Sequence, residues 1–213
     1  MRTELYTWKY MELGEKVVST LKEKRHDAYL VEKKEDVIQK VKDLIPSGSK
    51  VAVGGSITLN ECGILELLRN RDYEFYDRYS AKNHEESIRI NRQAFETDFF
   101  LCSANAITLD GKIVQLDGTG TRVAPMIWGP RNVIIVAGMN KIVSSIDTAL
   151  ERIRFISPMN AKRLNIKTPC TRIGECINCE SSERICVHQV IVETGVRTPG
   201  RFKIILVAQD LGL

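Results

Sequence analysis

The sequence lacks the features that mark several special classes of protein. Its 213 residues contain no internal repeat, no low-complexity stretch and no apolar run long enough to cross a membrane. It shows no signal peptide, so we expect a cytoplasmic protein whose cysteines stay reduced. The basic residues late in the chain are not interleaved with the series of aromatic side chains that base stacking needs. Binding to membranes or nucleic acid is therefore not predicted.

Two catalytic signatures are also missing. There is no G-x-G-x-x-G fingerprint, so the sequence predicts neither a nicotinamide nor a flavin site. Neither His26 nor His84 lies near a serine or cysteine in a nucleophile motif. If the protein carries out redox chemistry, its electrons must leave through another group or a partner.

What the sequence does contain is the composition of an ordinary globular protein, with 43% hydrophobic and 27% charged residues. No linker divides the chain, so residues 1–213 are predicted to form one domain. The net charge of +4 comes mostly from scattered pairs of opposite sign, which are typical of solvated helix faces.

Short apolar strands alternate with helical segments along the chain. The pattern predicts helices at residues 5–25, 34–44, 59–70, 84–95 and 146–155. It predicts strands at residues 28–31, 50–53, 74–76, 99–102, 104–108, 112–116, 133–137, 186–193 and 202–208. This alternation is typical of a three-layer, Rossmann-like α/β fold, here with an N-terminal helix and a C-terminal cysteine loop. We expect a mostly parallel sheet with an antiparallel addition at the 104–116 hairpin and at the chain end.

Four of the six cysteines lie in one short stretch, residues 168–188, before the last strands. They are Cys170, Cys176, Cys179 and Cys186. A C-x-x-C pair brings two sulfurs to one ion across a tight turn, and the two flanking cysteines could close around the same site. We therefore predict a metal centre. The all-thiolate set favours an iron-sulfur cluster (4Fe-4S), with zinc as the alternative.

Other interpretations of these cysteines stay open. They could be structural or redox thiols, or form two disulfides, although a reducing cytosol disfavours disulfides. His188 could replace one cysteine ligand, but a histidine beside an apolar strand is more often satisfied by hydrogen bonds.

The residues that follow predicted strands are candidates for ligand binding, because ligands of open α/β sheets bind outside the carboxyl ends of the strands. The first such segment is G-G-S-I-T-L-N-E, in which Gly54 and Gly55 admit a ligand to the backbone and Ser56 and Thr58 offer hydroxyls. In a competing interpretation, Thr58 and Glu61 form a capping box at a helix start. Glu61 is also the candidate catalytic base if the ligand is a neutral carbonyl compound.

Two further strand exits carry polar groups. Asn105 follows the strand at 99–102, and Lys141 follows the strand at 133–137, although a single lysine beyond a strand is usually solvated. Because these exits should share one edge of the sheet, we expect them to form a crevice with Gly55.

A glycine-rich turn, D-G-T-G-T-R at residues 117–122, lies between these exits. Its backbone N–H groups and its arginine could clamp a carboxylate or phosphate. The candidate ligand-binding residues in it are Gly118, Thr119, Gly120 and Arg122. In the competing interpretation the glycines only turn the chain, and Arg122 pairs with Asp117.

At these residues the chain resembles the LUD-domain proteins associated with lactate utilisation. The matching blocks are G-G-S-I-T-L-N-E-C-G at 54–63, N-A-I-T-L-D-G-K-I-V-Q-L-D-G-T-G-T-R at 105–122 and V-A-G-M-N-K-I-V at 136–143. It is especially similar to short members with T-P-C, G-x-C-x-x-C, R-I-C and a terminal D-L-G. The resemblance implies a single LUD-type domain with the fold of the ribose-phosphate isomerase and CoA-transferase superfamily. Members of that superfamily bind sugar phosphates, acyl-CoA or folates at the strand ends.

The resemblance implies less about function than about fold. Some family members are subunits of an iron-sulfur complex that oxidises L-lactate to pyruvate, which implies an iron-sulfur redox partner protein. The chain has Thr121 in place of the usual polar residue before the family's arginine. The resemblance does not map the catalytic glutamate of CoA-transferases or the isomerase carboxylates onto residues of this chain. No nucleophile is therefore assigned.

Two functions agree with these observations. The first is a redox-linked protein of lactate or related hydroxy-acid utilisation, with a cluster in the cysteine loop and the substrate carboxylate on Arg122. The second is a non-redox binding or isomerase-like domain for a sugar phosphate or acyl ligand, in which the cysteines hold a structural zinc.

Overall fold

The chain forms a six-stranded and a four-stranded β-sheet in the computed structural model, which describes residues 1–70 and 73–213. The helices are α1 (Arg2–Glu23), α2 (Asp36–Leu44), α3 (Ile57–Glu61), α4 (Ile64–Arg69), α5 (His84–Gln93), α6 (Val123–Ile127), α7 (Ile146–Arg163) and α8 (Cys170–Ile173). The strands are β1 (Asp27–Val31), β2 (Lys50–Val53), β3 (Glu74–Tyr76), β4 (Phe99–Cys102), β5 (Ala106–Thr108), β6 (Ile113–Asp117), β7 (Asn132–Gly138), β8 (Ile142–Val143), β9 (His188–Val192) and β10 (Phe202–Val207). Short 3₁₀ helices lie at Arg78–Ser80, Ala94–Glu96 and Met139–Lys141.

The larger sheet has the strand order β1-β10-β7-β4-β2-β3, and its pairings are parallel. Its central strands are apolar along their length because the sheet is buried on both faces. In β7, for example, every residue from Val133 to Gly138 is buried. The predicted α/β class with a mostly parallel sheet is confirmed.

Helices cover both faces of this sheet. Val51 and Val53 of β2 belong to the apolar cluster that contains Val41 of α2. Ala52 belongs to the opposite cluster, which contains Leu21 of α1. Successive side chains of a strand point to opposite faces, so this single strand contributes to two cores.

The smaller sheet has the order β8-β5-β6-β9, with β5 and β6 forming the predicted antiparallel hairpin. Ile107 and Ile113 of this hairpin share the α1 cluster of the main sheet. Ala106 faces the other way, toward Ile153 of α7, in a third cluster. The smaller sheet thus lies between the main core and α7, and it positions α7 beside the carboxyl ends of the main strands.

The last strand is placed differently from the prediction. The end of the chain was expected to join the antiparallel addition; β9 does so on β6, whereas β10 pairs parallel between β1 and β7. Side chains alternate in the same way in parallel and antiparallel strands, so their period does not distinguish the two. Burial of β10 in the main sheet, from Ile204 to Val207, decides its position.

Two helices also differ from the prediction. The segment 59–70 forms two helices, α3 and α4, because Gly63 adopts a left-handed conformation with φ of 69° between them. Helix α7 extends beyond residue 155 to Arg163, with Pro158 inside it. The extra turns place Asn160 and Arg163 next to the carboxyl edge of the main sheet.

No helix within residues 1–70 and 73–213 is long and apolar enough to cross a membrane.

Candidate functional site

A crevice of about 320 Å³ lies at the carboxyl ends of β2, β4 and β7. The parallel strands end at the same edge, so the segments that follow them meet there. Gly55 follows β2, Asn105 follows β4 and Lys141 follows β7. The turn after β6 and the C-terminal half of α7 form the opposite wall.

The structure brings most of the predicted ligand-binding residues into this crevice. Its lining includes Gly55, Ser56, Thr58, Asn105, Gly118, Thr119, Arg122 and Lys141. Gly54 and Gly120 do not line it. Gly54 lies instead under Arg122, where a Cβ atom on Gly54 would approach Cγ of Arg122 to 2.9 Å. Its role is to make room for a side chain rather than for a ligand.

Arg122 is partly held by the protein itself. Its Nη2 donates hydrogen bonds of 2.8 Å to Oδ1 of Asn105 and of 2.8 Å to the carbonyl oxygen of Leu116. Its Nε lies 3.5 Å from Oδ2 of Asp117. The ion pair of the competing sequence interpretation is therefore present. In the part of the chain that the structure describes, Nη1 of Arg122 donates to no protein acceptor and remains available to a ligand.

The glycine-rich turn is also closed internally. Asp117 accepts hydrogen bonds from the backbone nitrogens of Gly120, at 3.0 Å, and of Arg122, at 3.3 Å. The backbone N–H groups of Gly120 and Arg122 are therefore used within the protein. The turn offers to the crevice the hydroxyl groups of Thr119 and Thr121 and the guanidinium group of Arg122.

Helix α3 is capped by Ser56 and not by the predicted Thr58–Glu61 box. Oγ of Ser56 accepts a hydrogen bond of 3.2 Å from the backbone nitrogen of Leu59. Glu61 lies outside the crevice, where its Oε2 accepts a 2.7 Å hydrogen bond from the backbone nitrogen of Gly212. Thr58 is thereby free to accept from another donor. The geometry does not place Glu61 where a general base for a ligand in the crevice would stand.

That donor is Lys141, which is only 4% exposed and lines the crevice. Its Nζ donates to Oγ1 of Thr58 and to Oγ of Ser103, both at 2.9 Å. Burial and the positive charges of Arg152 and Arg122 lower the pKa of Lys141 to about 7. The expectation of a solvated lysine is wrong here, because the side chain of Lys141 is buried at the edge of the main sheet, against Thr58 and Ser103.

Sequence reasoning missed the contribution of α7 and of the loop after β3. Arg163 and Asn160 of α7 line the crevice and are joined by a 2.8 Å hydrogen bond, and Arg78 lines it beside Thr121. The spacing of Ile153, Ile156, Asn160 and Arg163 on one face of a helix was the signal that could have found this wall.

The cysteine loop forms a second, much smaller cavity of about 20 Å³. All four of its cysteines line this cavity: Cys170, Cys176, Cys179 and Cys186. Arg184 holds the loop backbone, because its Nη1 donates to the carbonyl oxygen of Cys179 at 2.7 Å and its Nε to that of Cys186 at 2.8 Å. All six cysteines of the chain are free thiols.

The cysteine loop is not arranged around an ion in these positions. Within the described residues, no group of three or more His, Cys, Asp or Glu side chains is spaced to hold a metal ion. His188 opens β9, is exposed and does not line the cysteine cavity. The other two cysteines are inert packing residues, since burial raises the pKa of Cys62 to about 11 and that of Cys102 to about 12.

The cysteine cavity and the crevice share a wall. Ser157, Ile185 and Cys186 line both of them. Burial raises the pKa of the Cys186 thiol. Gly118 allows the turn after β6 to pack closely against the cysteine loop, because a Cβ atom on Gly118 would lie 3.3 Å from the backbone of Ile185. One thiol of the cysteine loop therefore borders the space in which a crevice ligand would lie.

Comparison with known proteins agrees with the geometry. The profile of the LUD domain matches residues 14–207. The chain belongs to the LUD domain family. The suspected family membership is thus confirmed. A comparison with curated proteins finds no match to this LUD-domain chain.

A comparison with solved structures finds one similar over nearly the whole length of this LUD-domain chain. A DUF162 family protein from Deinococcus radiodurans is 10% identical, with a TM-score of 0.54, over 93% of this chain and 97% of that chain. A ribose 5-phosphate isomerase from Plasmodium falciparum is 16% identical, with a TM-score of 0.34, over 52% of each chain. The eIF2B delta protein from Chaetomium thermophilum is 14% identical, with a TM-score of 0.37, over 55% of this chain and 50% of that one. The likeness to the DUF162 family protein, at 10% identity, concerns the fold alone.

Proposed function

We propose that this LUD-domain protein acts in a redox step of lactate or related hydroxy-acid utilisation. In this proposal the crevice binds a small anionic ligand, a carboxylate or phosphate ester, and the four cysteines hold an iron-sulfur centre. The observation that carries the proposal is the wall common to the crevice and the cysteine cavity, formed by Ser157, Ile185 and Cys186. A purely structural ion would have no need to lie against a ligand site.

The charges of the crevice support an anionic ligand. Four basic side chains line it: Arg78, Arg122, Lys141 and Arg163. The acidic side chain among its lining residues is Asp117, which is paired with Arg122. An anion would compensate this excess of positive charge, and a guanidinium group with a free N–H face binds carboxylates and phosphates well.

The cysteine loop supports a metal centre through its ligand type and its backbone. Thiolates suit iron-sulfur clusters and zinc, and four of them border one cavity. Residues 174–187 contain neither helix nor strand, so the loop can contract around a bound group without breaking regular structure. Gly174, with φ of 78°, and Asn178, with φ of 49°, already supply the left-handed turns that a ligand loop needs.

An iron-sulfur cluster bound by these cysteines would supply one-electron transfer. Oxidation of a hydroxy acid to a keto acid releases two electrons and two protons, so the proposal includes an iron-sulfur partner protein that accepts the electrons. The role of the residues of this chain would be to bind and orient the hydroxy acid beside Cys186.

A second candidate is a non-redox ligand-binding or isomerase-like domain with a structural zinc. The observation in its favour is that Cys186 lies two residues before the start of β9, an edge strand of the smaller sheet. A zinc ion on the cysteine loop would then fix β9 to α8, and its binding energy would add to folding.

The test is metal analysis of the protein purified without oxygen. The redox proposal expects about four iron and four sulfide per chain and an electron paramagnetic resonance signal after reduction that changes when L-lactate or pyruvate is added. Stoichiometric zinc without iron would support the second candidate instead. A metal-free protein in both anaerobic and zinc-supplemented preparations would contradict both.

A further inference from the structure

Lys141 carries a buried amine without a carboxylate partner. It ends the 3₁₀ turn Met139–Lys141 after β7, and its Nζ contacts the hydroxyl oxygens of Thr58 and Ser103. Among the residues that the structure describes, no acidic side chain lies within ion-pair distance of Nζ. The backbone of Gly212 covers it from the far side, because a Cβ atom there would lie 3.2 Å from Nζ. The side of Lys141 left open is the crevice.

The donors of Lys141 are incompletely used. A protonated amine has three N–H donors, and the two hydroxyl oxygens accept two of them. A buried ammonium group with an unused donor and no counterion is costly, whereas a neutral amine has only two N–H donors, and both of them are used here. The empty crevice therefore favours the neutral amine, and an anion at the open side would favour the ammonium form.

The positively charged groups around Lys141 also favour its neutral form. Arg152 of α7 and Arg122 beside α6 both repel a positive charge on Nζ, and burial adds to this effect. Glu61, in α3, and Cys62, which follows it, raise the pKa of Lys141 and so act against this effect. The carboxylate of Glu61, however, already accepts a hydrogen bond from the backbone nitrogen of Gly212. These effects together bring the pKa of Lys141 to about 7.

We propose that Lys141, Thr58 and Ser103 form the subsite that receives an oxyanion group of the ligand, and that Lys141 takes up a proton as this group binds. The inference rests on the proposed binding of an anion in the crevice and adds the position and the proton linkage of that binding. Arg122, which is already held by Asp117 and Asn105, then serves as a second and less adaptable contact.

The proton linkage has a definite sign. Anion binding stabilises the ammonium form and raises the pKa of Lys141 in the complex. Above a pH of about 7 the amine must be protonated before the anion binds, so the apparent affinity should fall by up to about tenfold for each further pH unit. Below that pH the affinity should level off.

Calorimetry with two simple anions tests this inference. Sulfate is a tetrahedral dianion and pyruvate a carboxylate, and neither titrates near neutral pH, so any proton taken up on binding is taken up by a group of the protein. Titrations at about pH 8 in two buffers of different ionisation enthalpy give the number of protons taken up. Binding of an anion at the subsite should be accompanied by the uptake of about one proton. Comparison of the affinities for the two anions shows whether the subsite prefers a phosphate-like or a carboxylate group.

The matched variants are Lys141→Met and Lys203→Met. Lys203 is bound to Asp27 at the opposite end of the main sheet, so its loss should leave anion binding and proton uptake unchanged. Lys141→Met should bind the anion at least tenfold more weakly and without proton uptake. Circular dichroism checks that both variants fold. Wild-type affinity in a folded Lys141→Met protein would overturn the inference.

A measurement on the unmodified protein covers the case in which Lys141→Met does not fold. In nuclear magnetic resonance of protein labelled at the lysine ε-carbons, one lysine should titrate near pH 7 and shift to higher pH when sulfate or pyruvate is added. Anion binding without such a shift and without proton uptake would overturn the inference while leaving the proposed anion site intact. Failure of wild-type protein to bind any anion would overturn both.

Discussion

Gly54 lies directly beneath the side chain of Arg122, so that a Cβ atom on Gly54 would lie 2.9 Å from Cγ and 3.3 Å from Cβ of the arginine. The absence of a side chain at this one position lets Arg122 cross the end of β2 and reach Asp117 and Asn105. The neighbouring glycine has no such role, because a Cβ atom on Gly55 would meet only the hydroxyl oxygen of Tyr79, at 4.0 Å.

The first prediction uses this difference between adjacent glycines. Gly54→Ala should displace Arg122, lower the free energy of unfolding by about 1–3 kcal/mol and weaken sulfate or pyruvate binding about tenfold. Gly55→Ala should change stability by less than about 1 kcal/mol. Urea unfolding and calorimetry of both variants provide the measurement, and equal effects of the two changes would contradict this role of Gly54.

The second prediction concerns the pair of Arg122 and Asp117. Asp117 is almost buried, with its side chain 10% exposed, so Arg122→Met leaves a carboxylate without its cationic partner. We expect a loss of about 1–3 kcal/mol in the free energy of unfolding, most of which should be absent when Asp117→Asn is introduced first. A double-mutant cycle from urea unfolding measures the coupling. Strictly additive effects would mean that the pair contributes nothing.

The third prediction concerns the cysteine loop. Cys179→Ser should remove the bound metal and lower the melting temperature, because a lost thiolate removes both coordination and the folding energy linked to it. Cys62→Ser is the control, since Cys62 is buried at the end of α3 and lies outside the loop. The measurement is metal content by mass spectrometry together with thermal unfolding. Full metal occupancy in Cys179→Ser would exclude it as a ligand.

The fourth prediction concerns pH and His26. This residue is 3% exposed, packs edge-on against Phe202, and has no hydrogen-bond partner for either ring nitrogen among the residues described. Burial, followed by the charge of Lys24, lowers the pKa of His26 in the folded protein. The unfolded chain then binds more protons below its own histidine pKa of about 6.5, so stability should fall as pH drops below that value.

His26→Leu separates this effect from other acid-sensitive groups. The variant should lose less stability than the wild type between about pH 7 and pH 5, since it has no buried imidazole to protonate. Urea unfolding at several pH values measures the difference. Parallel stability curves for the two proteins would show that His26 does not contribute to acid sensitivity.

The pattern of apolar and turn residues was sufficient to predict strands such as β2 and the edge of the main sheet at which the strand ends meet. Strand β2 was predicted at residues 50–53 because its apolar run is bounded by a turn and two glycines, and the structure has it at Lys50–Val53. Parallel strands end at one edge whatever their order, which is why the approach of Gly55 to Asn105 and Lys141 could be expected before the strand order was known. The family signature lies in these same segments.

Only the tertiary structure decided which neighbour each polar group has. Periodicity shows that one side of an element is buried, but not against what, so it could neither place β10 beside β7 nor show that Lys141 is enclosed by Thr58 and Ser103. The junction of Cys186 with the crevice depends on α7 packing on the smaller sheet, which places Ser157 of that helix beside both cavities. Charge and burial of a side chain are properties of its surroundings in space, and these come from contacts between residues far apart in the chain.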